Sequence, residues 1–86
     1  METKKAWCVK THIVSDCETI SDDVRLYEYL QDAEKAFNYI VDEEREIAIN
    51  KEFVIGCDNN RSFEAYEEGY YAHNHSCVDL FRIEIE

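Results

Sequence analysis

Trp7, Val9, Thr11 and Ile13 alternate with Cys8, Lys10 and His12, the period-two pattern of a strand with one buried face. A first strand is expected over Ala6–Val14. Ser15-Asp16-Cys17-Glu18 supplies turn-forming residues, and Val24 and Leu26 resume the alternation, which predicts a hairpin with a second strand from Thr19 to Tyr29. The pair Asp22-Asp23 is poor strand material, so a bulge or interruption is expected there. From Asp32 the period changes. Ala33, Ala36, Phe37, Ile40, Val41, Ile47 and Ala48 recur at helical spacing and leave Glu34, Lys35, Asn38, Asp42, Glu43, Arg45 and Glu46 outside. The spacing predicts a helix over Asp32–Ala48 with Asp32 as N-cap and Asn50 taking the left-handed conformation that ends it.

Phe53, Val54 and Ile55 read as a short third strand closed by Gly56-Cys57-Asp58-Asn59-Asn60, a turn signal. Ser62–Glu68 follows as a fourth strand in which Phe63 and Ala65 oppose Glu64 and Tyr66. Gly69-Tyr70-Tyr71-Ala72-His73-Asn74 is a loop, and Cys77–Glu86 is a fifth strand. Val78 and Leu80 differ in parity from Ile83 and Ile85, which predicts a bulge across Phe81-Arg82. The order β-β-α-β-β-β gives an α+β fold: an antiparallel-rich sheet with one amphipathic helix packed on one face. Phe37, Ile40 and Val41 should meet Val9, Ile13, Leu26, Val78 and Leu80, across a right-handed crossover.

At 86 residues the chain is expected to be a single domain over 1–86, because so short a chain buries only about 60–65% of its unfolded surface; a monomer is expected. Nine Lys and Arg stand against 20 Asp and Glu, a formal charge of -11. That charge argues against direct nucleic-acid binding and for a basic partner. The sequence is too rich in apolar and aromatic residues for a disordered acidic tail. Neither a signal peptide nor a membrane-length apolar run is evident, so a cytoplasmic protein is expected.

Cys8, Cys17, Cys57 and Cys77 include no C-x-x-C pair, so neither a redox motif nor a zinc ribbon is present, and any metal site must be assembled by the fold. His73-Asn74-His75-Ser76-Cys77 is the densest set of ligand types. Residues i, i+2 and i+4 of an extended segment share a face, although i to i+4 spans about 13 Å. Following the strands end to end places Cys17, His73, His75 and Cys77 at one end of the sheet, with His12 nearby on the first strand and Cys8 and Cys57 opposite. Two thiolates and two imidazoles complete a tetrahedral zinc set of the structural kind, which would staple a small core. His12 is the substitute if one histidine is out of reach, and Cys8 or Cys57 could replace one of these ligands. The alternative is a polar loop with two solvated histidines and a half-buried cysteine.

Acidic pairs such as Asp22-Asp23, Asp42-Glu43-Glu44 and Glu67-Glu68 follow from composition alone and point to no acid-base catalysis. Cys77 with His75 offers no oxyanion hole, and two glycines, Gly56 and Gly69, cannot build a phosphate-cradling loop. A non-enzymatic protein is expected. Acids recur on every element: Asp42, Glu43 and Glu46 on the helix, Asp58 in a turn, Glu64, Glu67 and Glu68 on the fourth strand, Glu84 and Glu86 at the end. Tyr27, Tyr29, Tyr39, Tyr66, Tyr70 and Tyr71 interleave with them. Such a surface either keeps the protein soluble or occupies a site that normally holds phosphates.

The run Phe63-Glu64-Ala65-Tyr66-Glu67-Glu68-Gly69-Tyr70-Tyr71 followed by Asn74-His75 resembles small acidic proteins of phages and mobile elements. Combined with Cys/His ligands, it is similar to zinc-containing anti-CRISPR inhibitors of type II-A Cas9. Anti-CRISPR proteins share no common fold or signature, so the resemblance implies a class and a partner and carries over no residue. It implies a phage-encoded protein in a host bacterial cell that binds a Cas9-type effector and hinders guide or target DNA loading. The other reading is a small metal-binding regulatory protein of a phage or mobile element whose acids serve solubility.

Overall fold

The computed structural model describes residues 4–70 and 73–85. Tyr71, Ala72 and Glu86, placed above in a loop and at the end of the last strand, lie outside them. The elements are β1 (Lys4–Ser15), β2 (Glu18–Tyr27), α1 (Leu30–Asn50), β3 (Val54–Asp58), β4 (Ser62–Tyr66) and β5 (His75–Ile85). All neighbours in the single five-stranded sheet, ordered β2-β1-β5-β4-β3, pair antiparallel. The fold is α+β in the order the sequence pattern predicts. β1 and β5, the first and last strands in the chain, sit side by side in the middle of the sheet, and α1 carries the chain from one edge strand to the other.

Alternation decides what each face holds. Val9 of β1, Phe63 and Ala65 of β4, and Val78 and Leu80 of β5 are buried against Ala33, Phe37, Val41 and Ala48 of α1, with Trp7, Tyr27, Leu30, Ile40 and Phe53 packed around them. α1 leaves the opposite face of the sheet open. Lys10 and His12 of β1 share that open face with Cys77 and Asp79 of β5 and with Glu64 of β4.

Two residues depart from the expected core: Ile13 is half-buried outside the core cluster, and Leu26 is 54% exposed. The β1–β2 loop is two residues long, Asp16 (φ 51) and Cys17 (φ 69), the positive-φ geometry that suits strand twist. If pairing ran on evenly from Ser15 and Glu18, Ile20, Val24 and Leu26 would share the buried face with Ile13, Val9 and Trp7. Instead the register shifts where Val14 meets Thr19 and Ile13 meets Ser21, so Ile20 is an extra residue. One extra residue reverses every side chain beyond it. The bulge therefore lies at Ile20 rather than at Asp22-Asp23, and it turns Tyr27 inward and Leu26 outward.

Conversely, the bulge expected at Phe81-Arg82 is absent. β1 and β5 pair without a shift from Lys4 and Ile85 to Val14 and His75. The change of parity is real and is absorbed by the open face, where Phe81 and Ile83 lie beside Cys8 and Ala6. Cys8 and Ala6 are buried there although α1 is on the other side.

The helix starts earlier than its spacing suggests. Tyr29 occupies the N-cap in extended conformation without a side-chain bond, and Asp32 lies in the first turn, where its charge favours the positive end of the helix dipole. At the C-terminus, Glu52 (φ 59), not Asn50, takes the left-handed conformation. Glu52 N–H donates to Ile49 O at 3.3 Å and Phe53 N–H to Ala48 O at 2.8 Å, the two bonds of a Schellman closure. Phe53 then folds back onto the core. β3 continues through Gly56 and Cys57 with a register shift between Ile55 and Cys57. The turn falls at Asn59, whose side-chain oxygen accepts from the N–H groups of Arg61 and Ser62, both at 2.9 Å.

Candidate functional site

The hairpin and the β4–β5 connection meet at one end of the sheet. Cys17 N–H donates to His73 O at 2.9 Å, and Asp16 N–H donates to Asn74 Oδ1 at 3.1 Å. Asn74 in turn donates to Glu67 Oε2 at 2.7 Å. These bonds hold two positive-φ residues in a tight loop and bring Cys17 beside His73, as the end-to-end reading of the strands implied. Cys17 is exposed, and the His73 ring stacks on Tyr70 with centroids 5.3 Å apart.

His75 and Cys77 belong to a different group. Both lie on the open face of β5, and Cys77 pairs with His12 on one side and with Glu64 on the other. His12 pairs with Asp22, and Glu64 with Cys57. The row Asp22, His12, Cys77, Glu64, Cys57 thus crosses all five strands. Cys57 joins it, rather than standing at the far end, because the short β3–β4 hairpin covers only one half of β5. Within the row, His12 Nδ1 is 3.5 Å from Asp22 Oδ1, and the Cys77 thiol donates to Glu64 Oε2 at 3.7 Å. The rings of His12 and His75 are 5.2 Å apart. Lys10, His12, Asp22, His75, Cys77 and Asp79 line a shallow hollow of about 390 Å³.

The four ligands predicted as one set are therefore two pairs, Cys17 with His73 at the loop tips and His75 with Cys77 on the open face. Among the described residues no group of three or more His, Cys, Asp or Glu side chains is placed to hold a metal ion. Glu64 and Asp22 were missed as neighbours of this cluster. Their parity was legible, but cross-strand register has no signature in a single sequence.

A second concavity of about 240 Å³ opens between the C-terminal half of α1 and the β1–β2 hairpin, lined by apolar side chains including Ile13, Ile20, Ile47 and Phe53. Glu44 borders it, and burial, reinforced by neighbouring Glu43, raises its carboxyl above the usual range.

The outward surface of α1 is acidic. Leu30–Asn50 holds six carboxylates, Asp32, Glu34, Asp42, Glu43, Glu44 and Glu46, against Lys35 and Arg45. Arg45 is turned to the sheet edge. Its Nε and Nη2 grip Asp58 at 2.8 and 2.7 Å and its Nη1 holds Asp42 at 2.9 Å. The two-pronged hydrogen bond from Arg45 lowers the Asp58 carboxyl below its ordinary range. Glu34, Glu43 and Glu46 are exposed and make no ion pair among the described residues. The last helical turn has no basic residue.

No helix among the described residues is long and apolar enough to cross a membrane. Compared with known protein families, curated proteins and solved structures, the chain matches none.

Proposed function

We propose that the protein is a non-catalytic binder whose acidic helix face engages a basic, nucleic-acid-binding region of a partner protein. The partner class is the one implied by the anti-CRISPR resemblance, a type II Cas9 effector whose guide or target DNA loading would be hindered. One observation carries the reading. Asp42, Glu43, Glu44 and Glu46 crowd five consecutive positions of α1, where like charges repel one another. Arg45 neutralises only Asp42 among them. Stability alone would favour opposite charges interspersed among them, so the arrangement fits selection for binding. Tyr39, 68% exposed on the same helix, adds the kind of rigid amphipathic contact that interfaces use. Cas9-type effectors hold a heteroduplex in a positively charged channel by backbone geometry, which an acidic body can enter without imitating any base sequence.

The test is association kinetics with the effector. Glu43→Lys with Glu46→Lys leaves the Arg45–Asp42–Asp58 cluster intact and should slow association about tenfold at low salt, with little change in release. Unchanged association in the folded double variant would remove the helix face from the interface.

A further inference from the structure

We infer that His12, His75 and Cys77, with Glu64 in the fourth position, form a binding site for a zinc-class divalent cation on the open face of the sheet. The site is distinct from the loop-tip pair Cys17 and His73. Three strands supply it: His12 from β1, His75 and Cys77 from β5, and Glu64 from β4. Cys77 is the direct cross-strand partner of both His12 and Glu64, and His75, two residues before Cys77, shares its face.

Two of the spacings, one within each pair of ligand types, match ligand edges of a tetrahedral site. With Zn–N near 2.0 Å and the ring centre about 1.1 Å further out, two imidazoles on one zinc have centres about 5 Å apart. The rings of His12 and His75 are 5.2 Å apart. With Zn–S near 2.3 Å and Zn–O near 2.0 Å, a thiolate and a carboxylate oxygen on one zinc are about 3.5 Å apart. Cys77 Sγ and Glu64 Oε2 are separated by 3.7 Å. No three of these groups yet converge on one point, so binding must rotate the side chains inward over the hollow. The thiol proton now shared with Glu64 is released as the cation enters.

Two further features favour a cation. Asp22 Oδ1 lies 3.5 Å from His12 Nδ1, close enough for a small rotation to make it the carboxylate partner that metal-bound histidines ordinarily have, with Nε2 left as the donor. Asp79 also lines the hollow, and Lys10 is the one opposing charge among the lining residues. The site would tie the first strand of the chain to its last on the face that α1 does not cover.

The experiment is titration of the purified full chain with cobalt(II), read by the thiolate-to-cobalt charge-transfer band, followed by displacement with zinc. One cobalt per chain is expected. Cys77→Ser should abolish the band, and His12→Ala should weaken binding at least about 100-fold. Asp22→Asn should weaken it about tenfold, while Cys17→Ser and His73→Ala leave it unchanged. If Cys77→Ser or His12→Ala fails to fold, alkylation mapping of the unsubstituted protein decides instead. Zinc should then protect Cys77 and leave Cys17 reactive. Absence of the band in folded protein, its survival in Cys77→Ser, or its loss in Cys17→Ser would overturn the assignment, as would zinc protection of Cys17 rather than Cys77.

Discussion

Phe37→Ala tests the packing of α1 on the sheet. Phe37 is 1% exposed and is one of the largest wholly buried side chains. It sits in the same core cluster as Val9, Phe63 and Val78. Deleting a buried phenyl ring removes its transfer free energy and leaves a cavity, together about 3–5 kcal/mol. A chain of this length has a total stability of about 4–13 kcal/mol, so the variant should lose a large share of it. For a domain this small, each kcal/mol moves the midpoint by about 4–8 °C, which predicts a fall in Tm of at least about 12 °C. Urea unfolding followed by circular dichroism and by the fluorescence of Trp7, which packs against the same core, gives the free energy directly. Tyr39→Ala on the outer face of the helix is the control and should stay within about 0.5 kcal/mol. A loss below about 1 kcal/mol for Phe37→Ala, or an equal loss for Tyr39→Ala, would mean that the helix buries a different face.

Glu52→Gly should stabilise the protein by about 0.5–1 kcal/mol, because Glu52 closes the helix at positive φ, where a side chain is strained and glycine is not; urea midpoints measure it, and destabilisation would refute the Schellman assignment. Glu44→Gln should also stabilise at neutral pH, by less than about 1 kcal/mol, because burial first and Glu43 second disfavour the ionised form. A carboxyl raised above its unfolded value makes the fold hold its proton more tightly. Its contribution to stability therefore grows as pH falls through the folded pKa and levels off below the ordinary value of about 4.3. The gap between Glu44→Gln and the unsubstituted protein should accordingly narrow on acidification, which a pH series of unfolding midpoints checks.

Period was the legible part of this fold. The spacing of Phe37, Ile40 and Val41 located the helix, and the alternation around Phe63 and Ala65 located β4, because both patterns report directly on burial. Ile20 shows where that stops. A one-residue bulge leaves the alternation of β2 almost unchanged in the sequence, yet it decides whether Leu26 faces the core or the solvent. Asp32 misled for a related reason. An acid near a helix start serves equally as a cap or as a first-turn charge, and only the position of Leu30 against the core separates them. The candidate metal ligands were legible by type, and Cys17 beside His73 followed from counting strand ends. The grouping of His12, Cys77 and Glu64 depends on register between strands far apart in the chain, which no local pattern encodes.

The role proposed for the acidic surface is to bind a basic, nucleic-acid-binding partner without turnover. Its most direct measurement is the affinity of the full chain for a type II Cas9 effector, with and without guide RNA, as ionic strength is raised from about 0.01 to about 0.15 M, a range over which the screening length falls from about 30 to about 8 Å. Stoichiometric binding at low salt, with parallel loss of DNA cleavage and an association rate that falls steeply across the series, is the predicted result. No binding to the effector at the lowest salt, in either guide state, would contradict it.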